Sequence, residues 1–367
     1  MTKNLFGAGL AAGVAMMGLA ACAAGSDDAA VTTAVATTPD TASAATPETT
    51  TPDAAETPAT TPAASGEARQ PLTGTPLADG EEVINRPALA VKIDNHPDAR
   101  SNHTGLARAD IVFEELVEGS LTRFAAVFHT QDADPIGPIR SAREQDVAIL
   151  SSFNSPLFAW SGGNPGVTSL VSSSFLTDLN WQNNAGSYYR GPGASPHNLY
   201  SSSQALYALT PEDHPGPPLT QFAYVADGEA FAGESGSDVS LAIGDVDIEW
   251  NWNDEAQRYE RSQAGGEHVD KTYGRVGAEN VVLLGVEYRA SSIDAQAPEA
   301  ITVGSGIATV FSNGEYVTGT WSKQGSIYPF VLMLESGEQI ELTPGQTWVE
   351  LVEVASPADA PAFTLGS

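Results

Sequence analysis

The first 78 residues differ in composition from the rest of the chain, and this change limits where a folded core can lie. Residues 23–78 are mainly Thr, Ala, Pro, Asp and Glu, with almost no aromatic or large aliphatic side chains. Such a segment buries too little apolar surface to offset the entropy that folding costs, so the sequence predicts a disordered tether. A flexible chain of this length has a root-mean-square reach on the order of 40 Å. We therefore expect the folded part to begin near residue 79.

The residues before the tether have the features of a bacterial lipoprotein signal peptide. Lys3 precedes an apolar run over residues 5–17, and residues 19–22 read Leu-Ala-Ala-Cys, which resembles a lipobox. We predict that residues 1–22 are the signal and that Cys22 carries a lipid, which anchors the protein to the outer face of the cytoplasmic membrane. The alternatives are a plain cleaved signal or a short membrane anchor, but the apolar run is too short to span a bilayer comfortably.

Cysteine and charge content exclude several classes of protein. Cys22 is the only cysteine, so an intrachain disulfide and a cysteine-based metal or redox site are excluded. The chain has 16 Lys and Arg against 46 Asp and Glu. Residues 201–367 hold six basic and 25 acidic residues, which makes that half a poor partner for nucleic acid or anionic lipid. Residues 86–200 hold eight of the basic residues and only eleven acidic ones, so the positive charge is concentrated there.

The pattern of apolar runs predicts an α+β chain with two domains. In residues 79–225, apolar strands end in Gly-rich or polar loops that precede helices, which indicates a mixed α/β layer domain. Residues 226–238 are rich in Gly, Asp, Ser and Glu and are predicted to be a linker. Residues 239–356 show short strands, scarce helical periodicity and a hairpin signal at Asn313. They predict a mostly β domain, with a tail at residues 357–367.

The stretch Gly-Pro-Ile-Arg-Ser-Ala-Arg at residues 137–143 is the candidate binding motif of the first domain. Ser141 and Glu144 have the spacing of a capping box, which predicts Ser141 as the N-cap of a helix. A helix N-terminus beside Arg140 and Arg143 would suit an anion. The alternative is that both arginines are surface or ion-paired residues without a ligand.

A second loop, at residues 188–200, is dense in side chains that bind ligands, between prolines and glycines that restrict the backbone. The alternative is a loop whose aromatic residues pack for stability. Including Arg123, the predicted ligand-binding residues are Arg123, Arg140, Ser141, Arg143, Arg190, His197, Asn198 and Tyr200.

Acid–base catalysis is a further possibility, with His197, Glu114, Glu118 and Asp94 as the candidates. Glu114 and Glu118 lie near the end of a predicted strand and could act with His197 on a glycan or a phosphodiester. If the strand continues through Glu114 and Glu115, these two side chains point to opposite faces, so only one of them could take part.

A metal site could be assembled from Asp94, His96, His197 and one glutamate. The spacing of these residues matches no known metal motif, and the chain has no His-Glu-x-x-His sequence. Walker and Rossmann patterns are absent as well. We therefore predict no metal and no cofactor.

Several motifs occur in an order that matches a known family. They are Lys92-Ile-Asp94-Asn95-His96-Pro97, Ala109-Asp110-Ile-Val-Phe-Glu114, Glu118-Gly119 with Thr122-Arg123-Phe124, the motif at residues 137–143, and Pro196-His197-Asn198-Leu199-Tyr200. Together they resemble the YerB-like lipoprotein family of bacterial envelopes, a domain of unknown function, over roughly residues 80–355. The resemblance implies a two-domain extracytoplasmic lipoprotein. It supplies no activity, substrate or catalytic residue.

Three hypotheses for the function follow. In the first, the protein binds an anionic cell-wall polymer or its fragments through the arginines near the predicted helix N-terminus. In the second, it is a hydrolase or transferase that acts on cell-wall glycan or phosphodiester. In the third, it is a scaffold for an unidentified envelope protein, and its arginines are only ion-paired. We favour the first, because the positive charge is concentrated around the motif at residues 137–143.

Overall fold

The computed structural model describes residues 68–366. The predicted signal peptide, Cys22 and residues 23–67 of the predicted tether lie outside the described residues. The prediction of disorder up to residue 78 is wrong for the part that is described, because Leu72 is fully buried in the apolar core and its carbonyl accepts a hydrogen bond from the Tyr224 hydroxyl at 2.7 Å. Within residues 68–366, no helix has the length and apolarity needed to cross a membrane.

The helices of the described chain all lie before residue 208. The α-helices are α1 (Pro97–Arg100), α2 (Glu144–Leu150), α3 (Pro165–Ser172) and α4 (Ser203–Tyr207), and the 3₁₀ helices are Leu106–Arg108, Glu118–Ser120, Ser151–Phe153 and Ala185–Ser187. Helix α3 begins as its sequence indicates, because Asn164 caps it by accepting a hydrogen bond from the backbone N–H of Val167 and Pro165 takes the first position.

Strands are distributed along the whole described chain. Those before residue 226 are β1 (Leu89–Asp94), β2 (Ile111–Leu116), β3 (Thr122–Phe128), β4 (Leu157–Ala159), β5 (Thr177–Asp178), β6 (Tyr189–Arg190), β7 (Leu199–Tyr200) and β8 (Ala223–Tyr224). Those after it are β9 (Glu234–Ser235), β10 (Asp238–Ile243), β11 (Val246–Asn253), β12 (Arg258–Gln263), β13 (Gly266–Glu267), β14 (Val269–Asp270), β15 (Gly274–Arg275), β16 (Gly277–Ala278), β17 (Asn280–Val286), β18 (Tyr288–Ala290), β19 (Pro298–Ala300), β20 (Gly304–Ser312), β21 (Glu315–Lys323), β22 (Val331–Met333), β23 (Glu341–Leu342), β24 (Thr347–Glu353) and β25 (Thr364–Leu365). The predicted fold class is thus confirmed: helices and strands are mixed in the N-terminal region, and the C-terminal region is mostly β.

One large sheet contains strands from both regions. Its order is β22-β21-β20-β17-β24-β2-β3-β1-β4-β5, and β9 pairs with β21. Strand β24 lies between β17 and β2 and is parallel to both, so that Trp348 aligns with Val281 on one side and with Val112 on the other. A second sheet has the order β13-β12-β11-β10-β25, with β16 on β12. The hairpin predicted at Asn313 joins β20 to β21, and Asn313 and Gly314 both have positive φ, as a type I′ turn requires.

The large sheet is buried on both faces. Alternate residues of β1 divide between two apolar clusters: Ala90 packs with the helices α2 and α3, whereas Val91 packs with the second sheet, including Trp250. Because both faces are covered, the central strands read as continuous apolar runs rather than as alternating ones. Charged side chains on these strands are therefore buried and must find partners.

The predicted cap of α2 is wrong. The N-cap is Arg143, not Ser141, and the backbone N–H of Arg143 donates to Oδ2 of Asp146 at 2.7 Å. Asp146 thus completes the capping box, as Glu144 was predicted to do. Ser141 cannot cap, because the chain is still extended there and the helix begins three residues later.

Candidate functional site

Residues 137–140 form an extended segment that brings two loops to the end of β1. Asp94 N–H donates to the carbonyl of Pro138 and Arg140 N–H donates to that of Lys92, both at 2.9 Å, while Ile139 N–H donates to the carbonyl of Leu199 at 2.6 Å. A Cβ on residue 137 would lie 2.7 Å from the carbonyl oxygen of Leu199, so only glycine fits there. This segment places Arg140 next to β1 on one side and the loop of His197 on the other.

Asp94 is the centre of the site. Its Oδ2 accepts a hydrogen bond from Nδ1 of His197 at 2.6 Å and lies 3.1 Å from Nε of Arg140, and its Oδ1 accepts one from the backbone N–H of His96 at 3.1 Å. The Asp94 side chain is only 3% exposed. The Nδ1 atom of His197 donates to this carboxylate, and the other ring nitrogen, Nε2, has no hydrogen-bond partner among residues 68–366.

A second ion-paired group, around Glu118, adjoins Asp94. Arg143 engages both oxygens of Glu118, with Nε on Oε2 at 2.9 Å and Nη2 on Oε1. Arg123 reaches Glu118 at 3.4 Å and donates from Nη1 to the carbonyl of Ser141 at 3.0 Å. Burial alone would raise the pKa of Glu118, but the hydrogen bond from Arg143 and the charges of both arginines lower it to about 2. Burial and the charge of Arg143 lower the pKa of Arg123 to about 10.

A cavity of about 280 Å³ lies between these two groups. The residues that give it its chemistry are Asp94, His96, Glu118, Arg123, Arg140 and His197. The arginines Arg123, Arg140 and Arg143 share only two carboxylates, so the cluster carries one excess positive charge when the histidines are neutral. Within the described residues the guanidinium of Arg140 forms an ion pair only with Asp94, through Nε, which leaves both Nη groups available to a ligand.

Five of the predicted ligand-binding residues do not line the cavity: Ser141, Arg143, Arg190, Asn198 and Tyr200. Arg190 donates to Oδ1 of Asn198 and its guanidinium lies over the ring of Trp181, 5.0 Å from its centroid. Asn198 donates to the carbonyl of Gly193, and the Tyr200 hydroxyl donates to that of Pro192. These contacts fit the alternative weighed for this loop, in which aromatic and polar side chains stabilise its conformation.

The two adjacent glutamates of β2 point to opposite faces, as the strand alternation predicts. Glu114 accepts hydrogen bonds from Nη2 of Arg261 at 2.5 Å and from the Thr122 hydroxyl at 2.6 Å. Glu115 pairs with Lys92, which also donates to Asp146 at 2.7 Å. Both glutamates are fully buried and neither lines the cavity. Of the four catalytic candidates, the structure thus brings together Asp94, Glu118 and His197, but not Glu114.

A buried chain of hydrogen bonds that no sequence pattern indicates ends at the carbonyl oxygen of Asp94. Nη1 of Arg261 lies 2.9 Å from Nδ1 of His268, Nε2 of His268 lies 2.9 Å from Nδ1 of His103, and Nε2 of His103 lies 2.6 Å from the carbonyl oxygen of Asp94. Because arginine only donates, both imidazoles must be neutral, each with its proton on Nε2. Burial lowers the pKa of His103 to about 4, and burial with the Arg261 charge lowers the pKa of His268 well below its usual range, in agreement with two neutral rings. His103 and His268 are 165 residues apart, so no local pattern links them.

Possible metal ligands lie close together at one place among the described residues. One group, His96, Asp98 and His197, has ligand atoms within 4.8 Å of one another. The rings of His96 and His197 are stacked, with centroids 4.3 Å apart and planes at 17°. Lone pairs in nearly parallel ring planes do not converge on one point, so these residues would have to rotate before they could bind one ion.

The fold and the site together define an α+β protein with a charged cavity at the end of a central strand, a class that by itself assigns no chemistry. Residues 72–215 match the family model described as "Protein of unknown function (DUF3048) N-terminal domain", and residues 238–349 match the corresponding "C-terminal domain". The chain belongs to this family.

The comparisons with single proteins agree with this assignment. The chain is 29% identical over 300 residues to the Bacillus subtilis (strain 168) protein named "Putative lipoprotein YerB", and the match covers 77% of this chain and 86% of that protein. The crystal structure of the YerB protein from Bacillus subtilis matches with a TM-score of 0.69 at 26% identity, over 82% of this chain and all of the other. The predicted resemblance to the YerB-like family is therefore confirmed.

Proposed function

We propose that this chain is a lipid-anchored envelope protein whose cavity binds an anionic group of a cell-wall polymer on the outer face of the cytoplasmic membrane. The observation that carries the proposal is the excess positive charge of the arginine cluster beside the cavity, in which Arg140 has two Nη groups without a partner among the described residues. A planar guanidinium matches a carboxylate or a phosphate in a bidentate geometry. The lipid on Cys22 stays a prediction from the sequence.

The helix N-terminus no longer supports this proposal. Helix α2 has only seven residues, and Asp146 already accepts a hydrogen bond at its start. Anion binding would thus depend on the side chains of Arg140 and Arg123. The cavity volume of about 280 Å³ lies at the lower limit for small-molecule sites, which suits one charged group of a larger ligand rather than a whole one.

The test is a calorimetric titration of the full chain in detergent with inorganic polyphosphate and with soluble wall fragments. We expect Arg140→Gln to weaken binding at least tenfold. Arg190→Gln is the matched control, because it removes the same charge from a residue outside the cavity. Equal affinity of the Arg140→Gln variant and the wild type, or an equal loss in the control, would contradict the proposal.

The second candidate function is hydrolysis or transfer on the same polymers, and the Asp94–His197 pair favours it. A carboxylate that fixes Nδ1 of a histidine leaves Nε2 placed to accept a proton, as in acid–base catalysis. Incubation of wall fragments with the wild type, followed by mass spectrometry of the products, tests this candidate. We expect His197→Asn to abolish turnover and to retain binding. A wild type that binds the fragments but converts none of them would contradict it.

The scaffold hypothesis depended on the arginines being ion-paired with no cavity nearby. Arg140 and Arg143 are indeed ion-paired, with Asp94 and Glu118. The cavity beside them weakens the hypothesis, because a purely structural ion pair needs no space for a ligand.

A further inference from the structure

A second pocket lies at the opposite end of α1 from the cavity. It has a volume of about 420 Å³ and contains Arg100, Ser101, Gln263, Glu267, His268 and Lys271. Its lining residues thus come from the end of α1 and from the C-terminal region, where basic residues are scarce. We propose that this pocket is a second anion subsite, so that the ligand is a polymer with at least two anionic groups. The proposal rests on the binding function proposed above.

The charges of this pocket differ from those of the cavity. Arg100 donates from Nε to the carbonyl of Asn95 at 3.2 Å, and Nζ of Lys271 donates to Oδ1 of Asn102 at 3.1 Å. Neither forms an ion pair with any residue in the range 68–366. Glu267 is the one carboxylate of the pocket, and its side chain is exposed to solvent. The positive charges of Arg100 and Lys271 are thus not neutralised by a direct ion pair within the described residues.

The amide of Gln263 adds a fixed donor. Its Oε1 accepts a hydrogen bond from Nδ2 of Asn95 at 3.0 Å, so the orientation of the amide is set. Its Nε2 has no hydrogen-bond partner among the described residues, although the side chain is 93% buried, with 7% exposed. Both nitrogens of His268 are occupied, so this ring forms a neutral wall of the pocket. Arg100, Lys271 and Gln263 thus supply donors for an anion.

Helix α1 relates the pocket to the cavity. His96 caps the helix and lines the cavity, and Arg100 is its last residue and lines the pocket. Residues four apart lie on one face of a helix, about 6 Å apart along its axis. A linear polymer with closely repeated phosphates or carboxylates could occupy both sites along this face. A small anion could occupy only one.

The experiment compares inorganic phosphate with long-chain polyphosphate on the full chain by calorimetry at low salt. We expect polyphosphate to bind the wild type at least tenfold more tightly than phosphate does. Arg100→Gln/Lys271→Gln should remove this advantage, so that the variant binds polyphosphate and phosphate with similar affinity. Arg190→Gln/Arg289→Gln removes two charges from residues outside both sites and is the matched control. Lys271→Gln alone, at an exposed position, should weaken polyphosphate binding about threefold, which gives a second test if the double variant unfolds.

The possible results separate the two proposals. If Arg140→Gln weakens polyphosphate binding but the Arg100/Lys271 variants do not, the second subsite is wrong and the proposed function stands. If none of these variants changes polyphosphate affinity, or if the wild type does not bind it, both proposals are wrong. A control variant that loses as much affinity as Arg100→Gln/Lys271→Gln would show attraction by net charge alone and would also overturn the second subsite.

Discussion

The two faces of the large sheet carry charged clusters of similar composition but opposite accessibility. On the helical face, Arg140 has a side chain that is 22% exposed and borders the cavity. On the other face, Arg261 is fully buried between the carboxylates Glu114 and Glu350. The rings of Phe124, Trp250 and Trp348 surround its guanidinium at 5.0 to 5.7 Å. We conclude that an arginine with carboxylates and histidines around it is a candidate site only where space and free donors remain.

The closed cluster, which consists of Arg261, Glu114 and Glu350, is close to electrical neutrality. Burial and the charge of Glu114 raise the pKa of Glu350 well above its usual range, which favours the neutral form of Glu350. Glu114 then balances Arg261. This cluster stabilises the contact between the second sheet and β2, and it leaves no excess charge for a ligand.

The largest expected effect tests whether the closed cluster is structural. Arg261→Met removes the cation and leaves Glu114 buried without its partner, so we expect a loss of about 3–5 kcal/mol in the free energy of unfolding. Urea denaturation followed by tryptophan fluorescence measures it. The control is Arg289→Met, which breaks an ion pair whose arginine is 63% exposed and should cost less than about 1 kcal/mol. Similar losses for the two variants would mean that the buried Arg261 cluster contributes no more to stability than an exposed ion pair does.

The next effect concerns Glu115, which shares the buried Lys92 with Asp146. Burial and the charge of Asp146 raise the pKa of Glu115 to about 7, although Lys92 opposes this. Because the pKa of Glu115 in the folded protein lies above the unfolded pKa of about 4.3, the stability that protonated Glu115 contributes is complete below about pH 4.3. This stability is lost as the pH rises towards about 7. Glu115→Gln lacks this loss, so the wild type should lose roughly 1–3 kcal/mol relative to the variant between pH 4.5 and 8. Urea denaturation at pH 4.5, 6 and 8 measures it, and a constant difference would contradict the assignment.

A smaller effect of opposite sign is expected at Glu118. Its pKa is lowered to about 2, so the stability it contributes is present above the unfolded pKa of about 4.3 and is lost as the pH falls towards 2. Glu118→Gln should therefore be less stable than the wild type at pH 6, and the difference should shrink between pH 4 and pH 2. Because this side chain is 43% exposed, solvent screening keeps the effect below that of Glu115. Thermal unfolding at pH 6, 4 and 3 provides the measurement, and a difference that grows on acidification would be the opposite of what we expect.

The smallest effect is expected at Ser141, the residue that follows Arg140. Since Arg143 is the N-cap of α2, Ser141→Ala should change the free energy of unfolding by less than about 0.5 kcal/mol. Asn164→Ala is the comparison, because Asn164 does cap α3 and its loss should cost about 1 kcal/mol. Equal losses measured by urea denaturation would restore Ser141 as a capping residue.

Much of the fold follows from local patterns in the sequence. The cap at Asn164, the turn at Asn313 and the opposite directions of Glu114 and Glu115 each depend on a few neighbouring residues, and all are present in the structure. The cap at Ser141 failed because two residues in the next turn, Glu144 and Asp146, could complete a capping box at different N-caps. Only the backbone conformation decides between them.

Less of the site could be predicted. The sequence pointed to Asp94, Arg140 and His197, since they lie at strand ends and in loops dense in polar groups. It could not show that Asp94 joins the other two, or that Arg190 and Tyr200 stay outside the cavity, because these contacts depend on how the segment at residues 137–140 pairs with β1 and residue 199.

The sequence by itself determined that most of the apolar core lies after residue 78, which regions contain helices, and where positive charge is concentrated. These properties depend on composition, on periods of two or 3.6 residues and on the φ angles of turn residues, all of which are local. The tertiary structure decided that β24 lies between β17 and β2, that Arg261 meets Glu114, and that His103 meets His268. The two side-chain pairs are 147 and 165 residues apart. No local pattern specifies such contacts, because the packing of the two sheets creates them.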